Sequence, residues 1–128
     1  MLASEARTAT GTGADQVVPG SQVALEAVLD VTAASAAASD TLDVFIQAYV
    51  GGQWVDIVAF TQVLGNGGVK RFFAKISATE PQAMFENATA LAAGSVRHLI
   101  SDSYRARWVI AGTGSFTFSV KANYVRTK

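Results

Sequence analysis

Few residue types in this chain could do covalent or metal chemistry. His98 is the single histidine and cysteine is absent. A nucleophile–base set or a two-histidine metal site would therefore rest on one imidazole with no neighbour at a supporting spacing. A packed strand histidine is the simpler reading, because a triad needs three groups in mutual hydrogen-bond reach. The ten acids form no calcium-loop pattern. Asp40 and Asp43 lie close together, but at a strand entrance, where solvated carboxylates are common; a hard cation needs several converging oxygens. Glycine clusters at 11–13, 65–68 and 112–114 superficially suggest phosphate loops. A phosphate loop leads into a helix through a Gly-Lys-Ser/Thr pairing, whereas Gly65 to Gly68 opens onto the strand-like run VKRFF, so these glycines serve turns. The sequence predicts no enzyme, no metal and no cofactor.

Two clusters could bind instead of react. Lys70, Arg71, Arg105 and Arg107 stand beside Phe72, Phe73 and Trp108, a mixture that can hold nucleic acid by phosphate contact and stacking. The chain has zero net charge and a sequence pI near 6.5, so the net basic footprint of a nucleic-acid binder is missing and that partner is not expected. Tyr49 and Trp54 flank Gly51-Gly52 and form a candidate sugar-stacking platform. Their alternation also fits ordinary core or interface packing.

The elements that position these residues read as strands. Gln22 to Val31 alternates Val23, Leu25, Ala27, Leu29 and Val31 against Glu26 and Asp30. A second run sets Leu42, Val44, Ile46, Ala48 and Val50 against Asp43, Phe45, Gln47 and Tyr49. Gly51-Gly52 then predicts a tight hairpin into a strand starting at Trp54. Further strands are expected in VKRFFAKI, SVRHLI, YRARWVIA and SFTFSVKANYV, the last with the clearest period of two. Residues 78–94 break the pattern after Pro81 and predict a short helix or a long loop anchored by Phe85 and Leu91. Residues 1–16 are small, polar and without period, and predict a flexible or partner-ordered arm leading towards the Pro19-Gly20 turn. The expected architecture is all-β: one antiparallel, jelly-roll-like β-sandwich over 17–128, with an N-terminal arm and at most one short helix.

Composition points to work done at the surface. Half of the residues are apolar and 16% are charged, against roughly a quarter charged in ordinary globular chains. Much of the excess is alanine, 23 residues, which adds little core volume. A small, neutral exterior favours association with neighbours. Residues 1–60 carry seven acids against one base, and residues 61–128 nine bases against three acids. That asymmetry invites pairing, either across strands of one subunit or between subunits. Glu5, Arg7, Asp15, Lys70, Arg71, Arg105 and Arg107 are the candidate assembly contacts. The N-terminus lacks a signal-peptide apolar region, and no apolar run approaches the roughly 20 residues of a membrane helix, so a soluble, unsecreted chain is expected.

Two segments carry a family likeness. DVFIQAYVGGQWVDIVAFTQVLGNGGVKRFFAKI at 43–76 and YRARWVIAGTGSFTFSVKANYV at 104–125 resemble small structural proteins of tailed-bacteriophage virions. The matching features are Gln47, the Gly51-Gly52 hairpin and Trp54, then Arg105, Arg107 and Trp108 leading to Phe116 and Phe118. The resemblance implies a head decoration or cement protein that binds the major capsid protein, oligomerises, with a trimer favoured, and resides on the virion. A tail or connector component of the same particle and a carbohydrate-binding module are the alternatives.

Overall fold

The computed structural model describes residues 1–18 and 22–126; the Pro19-Gly20 turn signal lies outside the described residues. Eleven strands follow in order: β1 (Leu2–Arg7), β2 (Gly11–Thr12), β3 (Gln16–Val17), β4 (Gln22–Ala33), β5 (Thr41–Val50), β6 (Gln53–Ala59), β7 (Val63–Leu64), β8 (Lys70–Ser77), β9 (Ser95–Val96), β10 (Ser103–Ala111) and β11 (Phe116–Arg126). They form an all-β sandwich of two antiparallel sheets, with no helix among the described residues. The first sheet runs β1-β11-β4-β8. The second runs β2-β10-β5-β6-β9, with β3 also on β10 and β7 on β5.

Alternation decides which residues meet between the sheets. Leu25, Ala27, Leu29 and Val31 of β4 join Phe116, Phe118 and Val120 of β11 and Ile76 of β8. Opposite them lie Leu42, Val44, Ile46 and Ala48 of β5, with Ile57, Tyr104, Ala106 and Ile110. Each large side chain removed from water here contributes about 1.5–3 kcal/mol. Val50, expected on the same face, is instead exposed at the hairpin end. Tyr104 of one sheet stacks on Tyr124 of the other, with ring centroids 5.7 Å apart. Burial pushes both phenols up from their ordinary value.

The expectation of an unpatterned arm over 1–16 requires correction. β1 is an edge strand on β11, and β2 and β3 pair with β10. No period announced them because an edge strand needs few inward residues: only Leu2 of β1 is buried. Arg7 supplies the second anchor. Its guanidinium lies 4.7 Å from the Phe118 ring and 5.0 Å from that of Trp108, and it donates to the carbonyls of Phe118, Glu5 and Ala3. Gly11 must approach closely, since a Cβ there would stand 2.7 Å from the Trp108 ring.

Residues 78–94 take the long-loop alternative and not the helix. Arg97 clamps this loop, donating to the Thr89 carbonyl and the Asp56 carbonyl while stacking over Phe85 at 3.9 Å. Only Ser95–Val96 of the expected SVRHLI strand pairs, on β6.

Candidate functional site

The two outer faces of the sandwich hold most of the residues singled out from sequence. On the second sheet, Gly51 and Gly52 both take positive φ, 61° and 83°, the geometry of a two-residue primed turn. That turn sets Tyr49 opposite Trp54, and Gln47 opposite Asp56. β10 then brings Arg105 beside Gln47, and Arg107 beside Phe45.

The polar groups of this face are joined in one chain. Arg105 Nε donates to Gln47 Oε1 at 2.8 Å, and Gln47 Nε2 donates to Asp56 Oδ1 at 3.0 Å. Arg107 closes the chain as a fork, Nη2 reaching Asp56 Oδ2 at 3.0 Å and Nε reaching Oδ1 at 3.4 Å. A forked pair fixes the direction of approach as well as pairing charge. Both arginines lie over aromatic rings: Arg105 sits 4.3 Å from the Trp54 centroid, Arg107 4.0 Å from Phe45, and Tyr49 tilts against Trp54 at 5.1 Å and 55°. Stacked guanidiniums contribute about 0.5–2 kcal/mol each, by how far they are desolvated. Chemically the face is a bonded ladder: Gln47 and Asp56 each hold an arginine and bond each other.

The first sheet's outer face is different. Register across β11, β4 and β8 makes three rows: Ser119, Asp30, Arg71; Lys121, Val28, Phe73; and Asn123, Glu26, Lys75. Phe73 is 73% exposed, next to a shallow depression of about 470 Å³ over Val28, bounded by Lys121, Asn123, Glu26 and Lys75. Arg71 pairs with Asp30 at 3.1 Å. A smaller hollow of about 280 Å³ lies between the sheets beside β8, with Phe60, Phe72 and Val96 in its wall.

These placements sort the expected contacts. Tyr49 and Trp54 do meet, but the Arg105 guanidinium over the indole means that Trp54 is not an open stacking platform. Lys70 and Arg71 lie on the first sheet, while Arg105 and Arg107 lie on the outer face of the second, so the four bases make no single patch. Arg105 and Arg107 are engaged within the subunit, and Arg7 is a buried anchor with a side chain 10% exposed. Glu5, Asp15, Lys70 and Arg71 remain exposed. Asp30–Arg71 and Asp56–Arg107 join the acidic half of the chain to the basic half inside one subunit.

His98 Nδ1 accepts the Ser77 amide, a strand-packing role. Asp40 and Asp43 diverge: Asp40 is buried and accepts the Ser35 hydroxyl, while Asp43 accepts Gln62. The Gln47–Asp56–Arg107 ladder was not anticipated. The diglycine turn was the signal for half of it, because its register pairs positions 47 and 56; the pairing of β10 with β5 has no local signal. No model of a known protein family and no curated protein matches the chain.

Proposed function

We propose that the chain is a non-catalytic jelly-roll component of a bacteriophage head, a decoration or cement protein that binds major capsid subunits through its exterior. The observation that carries this is the strand order. With β2 and β3 counted as one broken strand, and β7 and β9 as short additions, eight strand positions remain. The first sheet orders them first, eighth, third, sixth; the second orders them second, seventh, fourth, fifth. That order matches two interleaved Greek keys and supports the jelly-roll reading, an architecture that recurs in viral shells and in lectins. The exterior supports the same reading, with Val17, Val69, Phe73 and Met84 each at least 70% exposed.

Because a fold hosts many functions, the surface must choose between shell and lectin. The Arg105 guanidinium over Trp54 weighs against sugar stacking there. Mass spectrometry of purified virions from the source of this chain, with heads and tails separated, tests the proposal. The expected result is the chain in the head fraction, at a fixed ratio to the major capsid subunit. Its presence only in tails makes it a connector or tail part, and its absence from particles overturns the proposal. A glycan-array signal that Trp54→Ala abolishes in a folded protein would instead establish the lectin reading.

A further inference from the structure

Phe73 and the rows around it carry a second inference, independent of any shell. On the outer face of β4 and β8, the two strands carry opposite charge in matching positions: Glu26, Val28 and Asp30 on β4 stand beside Lys75, Phe73 and Arg71 on β8. We propose that this face docks on the same face of a second copy, about a twofold axis that runs along the strands between β4 and β8.

The geometry follows from that axis. Rotation by half a turn lays β4 of one copy over β8 of the other without shifting residues along the strands. Asp30 then faces Arg71 of the second copy, Glu26 faces its Lys75, and Val28 faces its Phe73. Each contact occurs twice, as an isologous interface requires. Phe73, an exposed ring, enters the depression of about 470 Å³ that lies over Val28 between Lys121 and the partner's own Phe73. A protruding ring beside a hollow of apolar floor and charged rim has the anatomy of an interface centre.

The competing contact is edge-to-edge pairing of β8, whose outer edge has no neighbouring strand among the described residues. Antiparallel pairing centred on Phe73 would set Arg71 directly opposite Lys75 of the other copy, twice. Like charges opposed on one face destabilise a ladder, and charged edges are how sheets resist such joining. Face-to-face docking turns the same charges into attractions. A twofold pair also differs from the trimer that the phage resemblance implies.

Sedimentation velocity over a concentration series is the test, with the wild-type chain, Phe73→Asp, Arg71→Asp and the double reversal Asp30→Arg/Arg71→Asp. The wild type is expected to approach twice its 13.4 kDa mass as concentration rises. Phe73→Asp should weaken pairing about 30-fold or more, the loss typical of a central interface anchor. Arg71→Asp should weaken it about tenfold, and the double reversal should return it to within about threefold of wild type. Circular dichroism on each variant establishes folding, and Phe73→Ser serves as an uncharged second variant. A wild type that stays monomeric, forms trimers, or pairs equally well without Phe73 overturns the proposal. Failure of the double reversal to recover pairing overturns the twofold register.

Discussion

The outer faces of the two sheets draw on the same residue types and end in opposite states. On the second sheet, Arg105, Gln47, Asp56 and Arg107 form one bonded chain, with the two arginines stacked over Trp54 and Phe45. On the first, Phe73 projects beside Arg71, Lys75 and Lys121, and one ion pair, Asp30–Arg71, bonds the β4 acids to the β8 bases. The difference lies in register. Where a tight turn aligns an acid with an amide and the neighbouring strand brings one arginine to each, charges are consumed inside the subunit. Where acids and bases lie on adjacent strands around an exposed ring, part of their complementarity stays available to a neighbour. Exposed charge is therefore a poor guide to contact surfaces until pairing is known.

Alkaline pH should produce the largest effect, because it strikes both sheets at once. Tyr104 and Tyr124 have folded-state values raised, chiefly by burial, above the ordinary phenol value of about 10. Their contribution is fully present below that value and is lost as pH rises through the folded-state values, because the unfolded chain releases those protons first. Thermal melts should show no tyrosine-dependent change at neutral pH and a steep loss above about pH 10. Tyr124→Phe should lessen that loss.

Breaking the bonded face comes next. Asp56→Ala leaves the Arg107 fork and the Gln47 amide without their acceptor and should cost about 2–3 kcal/mol in urea denaturation. Trp54→Ala removes the ring under Arg105 and its contact with Tyr49 and should cost about 1–2 kcal/mol. The smallest change is expected on the open face. Arg71→Ala, at an ion pair whose arginine side chain is 60% exposed, should alter stability by less than about 0.5 kcal/mol. Equal costs for Asp56→Ala and Arg71→Ala would erase the distinction between the faces.

Much of the sandwich was legible in the sequence, because period-two alternation reports which residues face inward. β4, β5, β8, β10 and β11 lie within two residues of the runs that announce them. β1 was not legible: its inward positions are a leucine and an arginine, and the arginine is buried only because Phe118 and Trp108, more than a hundred positions away, supply the rings. The candidate faces divided along the same line. Tyr49 beside Trp54 follows from the diglycine turn, but the arginine above Trp54 comes from β10, by a non-local pairing. Phe73 alternated like a core residue on the opposite face to Phe72, and alternation alone does not tell which of two apolar faces is covered.

The account turns on one face being closed and the other available for contact, and residue-level carbene footprinting across a dilution series measures that directly. It predicts strong labelling of Phe73 in dilute protein, protection of Phe73 as concentration rises, and labelling of Trp54 that is low and constant. Concentration-dependent protection at Trp54, with Phe73 unchanged, would contradict it.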